Sequence, residues 1–198
     1  MKTISTYVAL CCFAAIPGLA QMNLTGYVGA GPTVPLNPLA GQTTDRGWNI
    51  SAGAGFTNHR LGMMLDFMYN DIGINAAGVS QAGASSGNFH TWGFMLDPVF
   101  HLSHEGPLDF YVTGGGGIFN QTVDFNNPAT VMAGLSLVPF SPVPSSYTVY
   151  KGGVDGGAGV SFKLGSTHLK AFAEARYYYI FTAPVATTII PITIGLRW

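Results

Sequence analysis

Residues 169–181 read LKAFAEARYYYIF. At a two-residue period Leu169, Ala171, Ala173, Ala175, Tyr177 and Tyr179 fall on one face, and Lys170, Phe172, Glu174, Arg176 and Tyr178 on the other. Such alternation marks a β-strand, whose successive side chains point to opposite sides. The polarity of the faces says more than the period: one is apolar and closes on two tyrosines, while the other carries a lysine, a glutamate and an arginine.

The same division runs through the chain. In LGMMLDFMYND, residues 61–71, Leu61, Met63, Leu65, Phe67 and Tyr69 oppose Gly62, Met64, Asp66, Met68 and Asn70. In HTWGFMLDPVFHL, residues 90–102, Trp92, Phe94, Leu96, Pro98 and Phe100 oppose Thr91, Gly93, Met95, Asp97 and His101. The pattern predicts eight strands, at 22–32, 47–57, 61–71, 89–102, 108–119, 149–164, 168–180 and 189–198. Pro98 and Pro191 weaken it locally, since proline gives the ladder no N–H. The links 58–60, 103–107 and 165–167 are short, and 33–46, 72–88, 120–148 and 181–188 are long. Strict alternation of short and long links predicts an all-β, up-and-down antiparallel transmembrane β-barrel, with tight periplasmic turns and long outer loops. A soluble barrel would turn its apolar face inward. Here that face carries Tyr69, Trp92, Phe100, Phe110, Tyr150, Phe162, Tyr177 and Tyr179 near strand ends, as interfacial aromatic girdles require.

Composition agrees. Only 9% of the 198 residues are charged, unusually few for a chain that is soluble throughout. Lys2, an apolar run over residues 7–16, Pro17-Gly18 and Ala20 predict a signal peptide at 1–20, cut before Gln21, which leaves 21–198 as one barrel domain. Cys11 and Cys12 depart with the signal, and Leu10 before Cys11 does not fit lipidation. The mature chain would then have no disulfide and no thiolate metal site. Without Lys2, seven basic residues face nine acidic ones, a formal charge of −2 with no basic patch for nucleic acid.

The tail IPITIGLRW, residues 190–198, alternates Ile192, Ile194, Leu196 and Trp198 with Thr193, Gly195 and Arg197. It resembles the C-terminal assembly signal of Gram-negative outer-membrane barrels, which ends on Phe or Trp. With AFAEARYYYIF before it, the chain resembles the small bacterial outer-membrane β-barrel domain family, of OmpA/OmpX-like architecture. The resemblance covers the mature chain in topology and about the last 30 residues in motif. It implies an outer-membrane location reached by the general secretory route, outer-membrane lipid and the barrel-assembly machinery as partners, and a monomer.

Four glycines in YVTGGGGIFN, residues 111–120, raise the question of a phosphate loop. No lysine follows them and no helix begins there, so they read as barrel wall, with Gly115 and Gly117 facing inward and leaving room for Tyr27, Phe172, Tyr178 or Arg176. GGVDGGAG at 152–159 repeats the theme.

In FHLSHE, residues 100–105, His101 and Ser103 resemble the His-x-Ser pair of the lipid A deacylase barrels. That family places its pair near the outer end of the strand before the last hairpin. Here the pair sits at a short turn, and the matching position reads ARYYYIF, so no catalytic residue is assigned. No histidine pattern forms a ligand set, and neither metal nor cofactor is expected.

The inward charges, Asp66, Asp97, Asp109, Asp155 and Glu174 against Lys151, Lys163, Lys170, Arg176 and Arg197, nearly balance. An eight-stranded barrel is just wide enough to be filled by side chains. An ion-pair cluster of Asp66, Asp97, Asp155, Glu174 and Lys151 around Arg176 is expected to plug the lumen. The function expected is a structural or surface-interaction barrel, with a narrow porin-like channel as the alternative and a lipid-modifying enzyme after that. An extracellular ligand is expected, if anywhere, at loops 33–46, 72–88 and 120–148. The last is Pro-rich and apolar, and the sequence leaves open whether it is floppy, rests on the leaflet or holds a partner.

Overall fold

The computed structural model describes residues 23–37, 44–76, 79, 86–103, 106–126, 146–165 and 168–198. The expected signal peptide and residues 38–43, 77–78, 80–85 and 127–145 of the outer connections lie outside them. Eight strands follow one another: β1 Asn23–Asn37, β2 Thr44–Asn58, β3 Leu61–Ile74, β4 Ser86–His101, β5 Leu108–Asn126, β6 Ser146–Lys163, β7 Lys170–Ile180 and β8 Thr187–Arg197. Each pairs antiparallel with its neighbour in sequence, and β8 returns to β1 to close the barrel. Closure leaves no sheet edge, the condition for a β-structure in lipid, where no water can satisfy a bare N–H or C=O.

The aromatic ladder lies outside, as the alternation requires. At one level Trp48 meets Tyr69 with ring centroids 5.5 Å apart, and Trp92 meets Tyr150 at 6.2 Å. Toward the short turns Phe56, Phe100, Phe110, Phe162 and Trp198 are all at least 40% exposed. Leu65, Leu96, Ile118, Val154 and Ile194 fill the band between, also exposed. Exposed leucine and isoleucine in this quantity would be unstable in water and is what a hydrocarbon solvent accepts.

The strands run farther at the loop end than the sequence pattern predicts. Residues 33–37, 44–46, 72–74, 86–88, 120–126 and 146–148, expected in loops, belong to strands. The apolar alternation stops there but the ladder does not, because its backbone bonds do not depend on polarity. Polar cross-strand contacts replace apolar ones: Asn88 Nδ2 donates to Asp71 Oδ1 at 3.1 Å, Asn126 Nδ2 to Ser86 Oγ at 2.8 Å, and the Thr122 and Thr148 hydroxyls lie 3.0 Å apart. With 19 residues, β5 is roughly 60 Å long, far more than an apolar band of about 25 Å needs even when tilted. On the loop side β5 and its partner β6, of 18 residues, therefore run past the apolar band, whereas β7 and β8, of 11 residues each, do not.

The glycines set how close the wall comes to the lumen. A β-carbon at Gly115 would strike the Asp97 carboxylate and the Leu96 carbonyl; one at Gly157 would strike the side chain of Arg176 and the carbonyl of Ala175. Tyr27 and Phe172 are accommodated in the same way, by Gly53 and by Gly29 with Gly195. The glycine-rich β5 and β6 are thus thin wall opposite bulky contents.

Candidate functional site

The lumen is stratified. From the short-turn end, a vestibule lined by His101, Asp109, Lys163, Lys170 and Arg197 leads to a buried layer of Tyr27, Met64, Val99, Tyr111 and Phe172. Next comes an ionic layer, and beyond it a second apolar layer of Met68, Ile72, Phe89, Met95, Phe119, Tyr178, Ile180 and Ile189. Polar groups interrupt this layer on its β1–β3 side, where Asn70, between Met68 and Ile72, accepts from Thr33 Oγ1 at 2.6 Å.

Arg176 forms the hub of the ionic layer. It rises from β7 and reaches across the lumen: Nη1 lies 2.8 Å from Asp66 Oδ2 on β3, 2.5 Å from Asp97 Oδ2 on β4 and 3.5 Å from Asp155 Oδ2 on β6. Its Nε donates to Glu174 Oε1 at 2.6 Å. The side chains of Asp66, Asp97 and Asp155 are 0% exposed and that of Arg176 4%. Strand pairing explains the convergence, since Asp155 pairs with Gly115, Arg176 with Gly157 and Glu174 with Gly159, so each bulky group faces a position without a side chain. One guanidinium, with its planar fork of donors, thereby ties three strands to β7.

Lys151 does not join them. It faces inward on β6, but four residues farther out than Asp155, roughly 13 Å along the strand, and makes no ion pair among the described residues. Phe119 intervenes, packed against Gly153 and edge-on to Tyr178 with centroids 5.9 Å apart. The expectation placed Lys151 on the right face and at the wrong depth.

His101 and Ser103 do not form a catalytic pair. His101 Nδ1 lies 2.8 Å from Asp109 Oδ2 inside the lumen. The Ser103 hydroxyl is held by its own turn, donating to the Leu108 carbonyl at 3.1 Å and accepting from Phe110 N–H at 3.2 Å. No group of three or more His, Cys, Asp or Glu side chains is arranged for a metal among the described residues.

In the tail, Ile192, Ile194, Leu196 and Trp198 all point outward, 40–63% exposed. Trp198 exchanges backbone hydrogen bonds with Gly26, 3.0 and 2.9 Å long, and its carbonyl also accepts from the Thr25 hydroxyl at 2.9 Å. These bonds complete the seam between first and last strands.

No family model and no curated protein matches the sequence. Solved structures do match in shape. Neisserial surface protein A, NspA, superposes with a TM-score of 0.61 at 16% identity, over 88% of this chain and 95% of its own. A major outer membrane protein of Thermus thermophilus gives 0.59 at 12% identity, over 89% and 99%. Identities this low speak to the fold alone, and with the inverted polarity of the wall they agree on what that fold is. The chain is a closed eight-stranded antiparallel β-barrel of the outer-membrane type, apolar toward lipid and ionic at its centre.

Proposed function

We propose that this protein is a bacterial outer-membrane barrel with a structural or surface-interaction role, holding its long loops above the membrane on a sealed wall and conducting nothing. The observation that carries the reading is the filled mid-lumen. The cavity between Arg176, Glu174, Tyr27 and Tyr178 measures about 10 Å³, room for one water at most, with layers of buried side chains on either side. Hydrated ions have no path through such a stack. Purified protein in planar bilayers is expected to show no conductance steps above the lipid background. Reproducible unitary steps that survive removal of contaminating porins would refute the sealed-wall reading.

Insertion is proposed to depend on Trp198. Its outward ring and its bonds to Gly26 suit it to be read by the assembly machinery and to finish the seam. Trp198→Ala, which keeps the backbone bonds to Gly26, should deplete the protein from outer-membrane fractions while the urea midpoint of the purified barrel changes little. Equal membrane levels for Trp198→Ala and the parent would make it an ordinary girdle residue.

A further inference from the structure

The short-turn end of the lumen opens as a cavity of about 650 Å³, within the size range of small-molecule sites. Its charges are out of balance. Lys163, Lys170 and Arg197 line it against a single acidic side chain among the described residues, Asp109; Glu105, in the neighbouring turn, lies outside the described residues. Asp109 is already engaged, its Oδ2 facing His101 Nδ1 at 2.8 Å, the Ser161 hydroxyl at 3.4 Å and Lys170 Nζ at 3.5 Å.

Arg197 sits at the floor. It is 7% exposed, forms no ion pair among the described residues, and its Nε–H has no hydrogen-bond partner. Its guanidinium carbon lies 4.3 Å from the ring centre of Tyr111, 5.3 Å from Phe172 and 5.6 Å from Tyr27. Aromatic faces stabilise the cation and fix its plane, yet they supply no acceptor for donors that lie in that plane. A buried cation with an idle Nε–H at the bottom of a basic cup lacks one thing, an anion whose oxygens lie in the guanidinium plane. Leu24, Met64, Val99 and Trp198 add apolar wall beside it.

We propose that this vestibule is a binding site for a small soluble oxyanion, a carboxylate or phosphate bearing an apolar part, seated on Arg197 and flanked by Lys163 and Lys170. The assignment draws on the outer-membrane reading only for the compartment, the periplasm, that supplies the ligand. A binding measurement on purified protein and a conductance measurement therefore fail independently.

The test is an NMR titration of the refolded barrel, with labelled arginine side chains, using benzoate and, separately, inorganic phosphate. The Arg197 Nε–H and Tyr111 ring signals should shift saturably within the millimolar range, benzoate acting at lower concentration. Lys163→Met and Lys170→Met together should weaken binding roughly tenfold or more, as expected for losing charge-assisted contacts, and Arg197→Met should abolish it. Should Arg197→Met fail to fold, the lysine pair still decides. No saturable shift, or an identical one in the lysine variant, overturns the proposal. Repeating the titration in nanodiscs separates the sources: an unchanged response in discs containing phosphatidylglycerol supports a soluble ligand, whereas loss of the response there means that a lipid headgroup takes the site and overturns the assignment.

Discussion

Arg176→Met is expected to lower the stability of the folded barrel by about 3–5 kcal/mol, the usual result of removing one partner from a buried ionic network. The substitution keeps the length and apolar stem of the side chain, so little volume is lost. What it removes is the only cation touching Asp66, Asp97, Asp155 and Glu174, among the described residues. Those carboxylates stand on four strands, so their repulsion acts on the whole barrel. Urea unfolding of protein refolded into detergent micelles, followed by gel migration with and without heating, measures the loss. Adding Asp66→Asn and Asp97→Asn to the Met variant should recover part of it, because two of the stranded charges are then gone. A Met variant as resistant as the parent would show that the carboxylates are held by something other than Arg176.

Much of this cluster is legible in the sequence. Period two fixes the face, antiparallel pairing across a short turn fixes relative depth, and both are local. Counting back from the short link at 165–167 sets Lys163 near Lys170 and Asp155 within reach of Arg176; in the barrel Lys163 pairs with Lys170, and Asp155 Oδ2 lies 3.5 Å from Arg176 Nη1. Lys151 shows where counting stops helping. Its face follows from parity, but its neighbours depend on which layer of the lumen it enters, and Phe119 and Ile180 supply an apolar layer there that no charge pattern announces. The strand ends beyond the lipid were hidden for another reason. Once both faces of a strand meet water, as for Thr122 and Thr148, hydrophobic alternation vanishes although pairing continues. Arg197 was visible as an inward charge but not as one without a carboxylate, since that depends on Tyr27, Tyr111 and Phe172 converging from three strands.

The outer apolar layer carries the second large effect. Phe119 is 0% exposed at its centre, and its ring lies against two glycines, Gly93 and Gly153, on the strands to either side. Phe119→Ala should destabilise by roughly 3–5 kcal/mol, toward the upper end for such truncations, because a wall of backbone cannot lean in to fill the void as flexible side chains do. The Tyr178 ring would lose its edge-on partner as well. Conductance separates this layer from the ionic one. Phe119→Ala should leave the barrel non-conducting, since Arg176 and its carboxylates still fill the next layer down. If Phe119→Ala alone produced stable current steps, the seal would lie in the apolar layer and the ionic cluster would be a structural tie that ions can pass. A loss below about 1 kcal/mol in urea unfolding, the scale of a single buried methylene, would mean instead that neighbouring side chains close over the site and that the glycine wall is less rigid than its packing implies.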